Sequence, residues 1–263
     1  MENKAQQAGN GVVQAGRVLS GLGLVTAFGH VSQRTGARML ITPAADLTEV
    51  TAAGLVHVDL AATSLPAGAP AEAWAHLAVY AARPDVMSVA RAQPPAVFAA
   101  AAALSGRQAP GPGPGSGVVT LPLLYGQACW LGANVPVHAD ARLLRSAVLG
   151  QAAAAALGPS DALLLRGNGG LTCGPTLAHA VTRMWLLAAA CQAWLAASAA
   201  GQPAALTEAE IESWRAVQGE LLPRLWPHLT AAAGGPRSGA SGAAAGPHGS
   251  DHHAITDGGL ADG

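Results

Sequence analysis

Glu72, His76 and Tyr80 recur at one-turn spacing in the stretch EAWAHLAVYAARPDVMSVARAQ (72–93), so a helix there puts all three on one face. Beyond an Arg-Pro-Asp turn, Arg91 and Gln93 sit two apart on a short apolar strand and point to one side of a sheet. A carboxylate beside a fixed cation can move a proton while negative charge is held nearby. Upstream, in GLVTAFGHVSQR (21–34), a Gly-rich turn delivers His30 and Ser32 to the start of a strand. The ordinary pKa of His30 lies near neutrality, as proton transfer requires. Downstream, ALLLRGNGGLTCG (162–174) reads as two strands joined by a turn that carries Asn168.

Each of these residues also has a purely structural use. Glu72 suits a general acid/base, or an acid at a helix N-terminus where the macrodipole favours it. Arg91 suits a grip on substrate charge, or an ion pair with Asp85 or a neighbouring subunit. His30 is a proton-transfer group or a structural histidine, and His76 acts directly or only orients Glu72. Gln93 and Asn168 donate hydrogen bonds to substrate or satisfy the edges of the sheet. Tyr80 reads as core or interface.

The elements that position them follow from pattern and punctuation. A helix is expected over 6–22, a hairpin from 30–34 to 38–43 across Thr35-Gly36, and a short strand at 56–59. Pro94-Pro95 opens a helix through Leu104, and a Pro/Gly loop over 105–117 is a surface excursion or a mobile cover. A strand is expected at 118–124 and helices at 143–157, 175–200 and 207–222. From 231 to 263 the chain has almost no large apolar residue and is expected to be disordered.

Composition removes whole classes of function. Of 263 residues, 51% are hydrophobic and 11% charged, with a net charge of −1, which suits one large α/β domain with a tail. That balance gives no electrostatic footprint for nucleic acid or an anionic membrane. The three cysteines, Cys129, Cys173 and Cys191, are widely spaced and fit buried thiols in a reducing cytoplasm. The start, MENKAQQAGNG, lacks the layout of a signal peptide, so a cytoplasmic location is expected. His179, Arg183 and Gln192 interrupt the most apolar helix, which reads as core and not as a membrane span. Lys4 is the only lysine and lies near the terminus, which excludes Schiff-base, pyridoxal-phosphate and Walker-type chemistry.

In their order, the motifs resemble the class II aldolase/adducin family over roughly residues 10–217: GLV…GHVS, an ITP strand end, Glu-x3-His, VYAARPDV, a strand ending in PP, and LLRGNGGLTCG. The resemblance implies an α/β fold, a three-layer α/β/α sandwich around a mainly antiparallel sheet, covering 1–225 ahead of the 231–263 tail. It also implies a homotetramer with sites near subunit interfaces. The family's divalent metal is held by a His-x-His pair and a third histidine, and here those positions read Arg91-Ala92-Gln93 and Asn168. Arginine cannot ligate and amides ligate zinc poorly, so the usual metal site is expected to be absent and no cofactor is expected. The alternative is a divalent metal (Zn, Mn or Fe) relocated onto Glu72, His30 and His76.

The phosphate-gripping hydroxyls implied by the resemblance are also depleted, in Gly29-His30-Val31-Ser32, Thr42-Pro43-Ala44-Ala45 and Pro70-Ala71-Glu72. The GHVS turn and RGNG hairpin look more like relatives acting on carboxylated aromatic or muconate-type compounds. The resemblance thus implies a carbon–carbon lyase for a small-molecule carboxylate, decarboxylating a hydroxylated aromatic or keto acid. Glu72 and Arg91 would do the chemistry with His30 and His76, while Ser32, Gln93 and Asn168 would bind substrate. Retro-aldol cleavage with a relocated metal is one alternative. A non-catalytic binding or scaffold module, like adducin's head domain, is another.

Overall fold

Period-two alternation along the strands builds a single sheet with a core on each face. The computed structural model describes residues 2–106 and 118–234. Its strands are β1 (His30–Thr35), β2 (Arg38–Ile41), β3 (Val56–Asp59), β4 (Ser88–Ala92), β5 (Val137–His138), β6 (Ala162–Leu165) and β7 (Gly169–Gly174). They are ordered β3-β2-β1-β4-β7-β6-β5, and every neighbouring pair is antiparallel except β5 with β6.

The helices are α1 (Glu2–Gly21), α2 (Ala73–Ala82), α3 (Pro95–Gly106), α4 (Ala147–Leu157), α5 (Leu177–Ala200), α6 (Glu208–Ala216), α7 (Gln218–Leu221) and α8 (Leu225–Gly234). Val31, Leu40, Ala90, Ala92 and Leu164 point into one core with α1, α3 and α5. Met39, Ile41, Val89, Leu163, Leu171 and Cys173 point into the other, under α2 and α4. This is the expected three-layer sandwich. Helix α5 is long and apolar enough to span a membrane, but it is a core helix with Trp194 and Arg183 buried.

Arg83 and Asp85 of the RPDV turn are structural. The Arg83 guanidinium meets both Asp85 oxygens, at 2.9 and 2.8 Å, and donates to the carbonyls of Gly158 and Ser160 at 3.1 and 3.0 Å. It thereby ties the turn before β4 to the loop before β6.

Three expectations need correction. Residues 118–124 form no strand beyond an isolated bridge of Thr120 with Pro136, because Pro122 has no N–H to extend a ladder. The helix expected over 207–222 divides at Val217 and gives way at Pro223 to a tight turn. The packed domain runs past residue 225, since α8 reaches Gly234 and buries Leu229 against the core. The Pro/Gly loop from 107 to 117 and the tail from 235 to 263 lie outside the described residues.

Candidate active site

Register brings the candidate side chains together. His30 opens β1 directly opposite Arg91 on β4, so both project from the α2 face of the sheet. Glu72 sits at the N-cap of α2, which hangs it over the same spot. Asn168 arrives from the β6–β7 turn, where only glycine can follow. Gly169 has φ +85°, and a Cβ there would lie 2.2 Å from the Ala92 carbonyl oxygen.

The result is a pocket of about 560 Å³. Its lining includes His30, Glu72, Arg91, Gln93 and Asn168. Glu72 Oε1 accepts from Asn168 Nδ2 at 2.9 Å and from Arg91 Nη2 at 3.4 Å, while its Oε2 lies 3.4 Å from His30 Nε2. Arg91 Nη2 also donates to the Asn168 carbonyl at 3.0 Å and to the Asn168 side-chain oxygen. With its amide oxygen turned to the guanidinium, Gln93 accepts from Arg91 Nη1 at 3.2 Å and Nη2 at 2.7 Å. Arg91 Nε is buried without a partner. The ion partner of Arg91 is therefore Glu72, and not Asp85, which belongs to Arg83.

Behind the pocket runs a buried chain of polar groups. His30 Nδ1 meets His76 Nε2 at 3.4 Å, His76 Nδ1 meets Ser32 Oγ at 2.8 Å, and Ser32 Oγ meets Tyr80 Oη at 2.8 Å. Ser32 and His76 are fully buried and are not among the residues that line the pocket: Ser32, expected to bind substrate, bonds His76 and Tyr80 instead, and His76 stands behind His30. Ser32 lies two residues along β1 from His30, on the same face but deeper beneath α2.

One charge sets the polarity of this chain. Burial would raise the Glu72 pKa, but the His30 hydrogen bond, the Arg91 charge and the Asn168 hydrogen bond outweigh it and hold the carboxyl at about 2. Burial lowers the pKa of His30, partly opposed by its hydrogen bond to Glu72, and lowers that of His76 further. Both imidazoles are thus neutral at pH 7. A carboxylate only accepts, so His30 donates to it from Nε2 and accepts at Nδ1 from His76. His76 in turn accepts from the Ser32 hydroxyl, whose oxygen accepts from Tyr80.

This donor set does not fit a divalent cation. A guanidinium fills the place where the resemblance implies imidazole ligands, and it cannot coordinate. Glu72, His30 and His76 form a string and not a converging set, since both nitrogens of His76 are engaged elsewhere. No group of three potential ligand side chains gathers among the described residues.

Sequence patterns missed four residues that line the pocket: Phe28, Phe98, Leu143 and Arg145. They come from three separate segments and share no motif. The signal on offer was scarcity, because the chain has only two phenylalanines and both are here.

The model of the Class II Aldolase and Adducin N-terminal domain matches residues 10–195. An L-fuculose 1-phosphate aldolase superposes with a TM-score of 0.70 at 20% identity, covering 80% of this chain and 95% of its own. The L-fuculose 1-phosphate aldolase of Glaciozyma antarctica PI12 gives 0.69 at 21% identity, covering 88% and 90%. YgbL from Klebsiella pneumoniae, a candidate aldolase, epimerase or decarboxylase, gives 0.65 at 23% identity, covering 80% and 99%. No curated protein sequence matches significantly.

Proposed function

This chain belongs to the class II aldolase and adducin family, and from that premise we propose that it is a carbon–carbon lyase that decarboxylates a small hydroxylated aromatic or keto acid without a bound metal. The observation that carries the reading is the pocket wall beside Glu72 and Arg91, made of Ala44, Ala45, Pro70 and Ala71. None of these side chains offers a hydroxyl to a phosphate. An apolar wall also leaves a departing carboxylate unsolvated, which favours its loss as carbon dioxide.

Glu72 is the proton carrier. Ionised at neutral pH, it takes the proton of a substrate hydroxyl adjacent to the carboxylate-bearing carbon and returns it to that carbon. The carbon–carbon bond then breaks, carbon dioxide leaves, and the bonding electrons restore the ring with the oxygen as phenolate. While Glu72 holds the proton, Arg91 loses its anionic partner, and its charge becomes available to that oxygen. Arg91 does by fixed charge what a Lewis-acidic ion does elsewhere. His30, Gln93 and Asn168 hold Glu72 and Arg91 in place.

Retro-aldol cleavage is the second reading, because an ionised Glu72 equally suits removal of the hydroxyl proton that begins that reaction. The test is release of carbon dioxide and of aldehyde from a panel of dihydroxybenzoic, hydroxyphthalic and β-keto acids. Carbon dioxide from one member, lost in Glu72→Gln, supports the reading. Aldehyde alone moves the assignment to retro-aldol cleavage. Neither product, with ligand binding unchanged in Glu72→Gln and Arg91→Ala, leaves a binding module.

A further inference from the structure

The rim of the pocket carries groups that the proton-moving machinery leaves unused. Among the described residues, the ionised side chains lining it are Glu72, Arg91 and Arg145. Glu72 and Arg91 face each other at 3.4 Å, and His30 is kept neutral by burial. Arg145 is exposed, and no side-chain hydrogen bond or ion pair holds it among the described residues. Its neighbour Arg142 is taken up by Asp140, through Nε at 2.9 Å and Nη2 at 2.5 Å. The pocket therefore has a neutral floor and one uncompensated positive charge at its rim.

The apolar part of the rim is equally specific. Phe28 is 65% exposed and Leu143 is 53% exposed, and Phe98 adds a second ring to the same pocket. Rings of this kind present faces and edges to a flat unsaturated ligand.

We infer that Arg145 is the anion anchor of this pocket, and that its ligand is an aromatic acid packed against Phe28 and Phe98 with one anionic group held at the rim. The inference rests on the lyase reading above and adds which acid is accepted. Arg91 is buried and engaged by Glu72 and Asn168, so gripping a substrate carboxylate would break that pair. A carboxylate bound tightly by Arg145 is stabilised in the ground state and is a poor leaving group. The group at the rim is accordingly one that the product keeps. The substrate carries a second acidic group besides the one lost, and the product is still an acid.

The experiment is calorimetric titration of the full chain with 3,4-dihydroxybenzoate, a product-like acid, and with the uncharged 3,4-dihydroxybenzamide. Wild type should favour the acid, and Arg145→Ala should weaken acid binding about tenfold and leave amide binding unchanged. Arg145→Lys should keep part of the preference, and Phe28→Ala should weaken acid and amide alike. An unchanged acid-to-amide ratio in Arg145→Ala overturns the inference, as does failure of the acid to bind wild type. Carbon dioxide release from hydroxyphthalates, followed in parallel, separates the two claims. Release unaffected by Arg145→Ala sinks the anchor and spares the lyase. Arg145-dependent binding with no carbon dioxide from any acid sinks decarboxylation and spares the anchor.

Discussion

Buried arginine networks sit at both ends of β4, and they are built to different standards. Before the strand begins, Arg83 and Arg183 share Asp161, with Arg183 Nη2 at 2.8 Å and Arg83 Nη2 at 3.3 Å. Arg183 spends its remaining nitrogens on the carbonyls of Trp130 and Cys173, at 3.0 and 2.7 Å. Every nitrogen of both guanidiniums has a partner, and neither side chain lines the pocket of Glu72. At the far end, Arg91 crowds its contacts onto Nη2, leaves Nε without a partner, and reaches Glu72 only at 3.4 Å. A buried group left short of partners costs free energy unless something else uses it. The network with every nitrogen partnered ties loops to the sheet, and the other, with Arg91 Nε left over, borders a cavity.

That contrast breaks cleanly if substitutions at the two ends act on different observables. Glu72→Gln should lower carbon dioxide release by roughly 10²- to 10⁴-fold per folded molecule, and it should also give up the stability that ionised Glu72 supplies beside Arg91. Arg183→Met should act on stability alone. It leaves Asp161 with Arg83 alone, at 3.3 Å, and costs about 1–3 kcal/mol in denaturant titration, while the molecules that remain folded keep their activity. Activity lost per folded molecule in Arg183→Met, or kept in Glu72→Gln, would erase the distinction.

Acid titration sharpens the comparison. His30 and His76 have folded pKa values below their ordinary 6.5, so the unfolded chain binds more protons in that window and stability falls as pH drops below about 6.5. Glu72 is depressed from 4.5 to about 2, so its contribution is complete above pH 4.5 and disappears as pH falls through about 2. Denaturant titration across this range should give two declines, the first made shallower by His76→Phe. The smallest expected effect belongs to Tyr80→Phe. It removes the last donor of the buried chain and costs about 1 kcal/mol, with activity retained.

Much of this architecture was legible in the chain. Strand alternation at Arg91 and Gln93, helical spacing at Glu72, and the glycines around Asn168 each dictate a direction, and those directions converge on one pocket. Depth was harder to read. His30 and Ser32 share a face of β1, yet only His30 reaches the cavity, because α2 closes over the strand one step further in. The strand expected at 118–124 fails on one missing N–H, at Pro122. Arg145 and Phe98 escaped because residues from distant segments meet there without any motif, and an exposed arginine in a sequence says nothing of where it faces.

The central claim is that Arg91 does the work of a metal ion. It is tested most directly by stripping the full chain with chelator, verifying metal content by mass spectrometry, and measuring carbon dioxide release from the preferred acid. Undiminished turnover in metal-free protein, abolished by Glu72→Gln, is the predicted result. Turnover lost on stripping and restored by one equivalent of a divalent ion would contradict it.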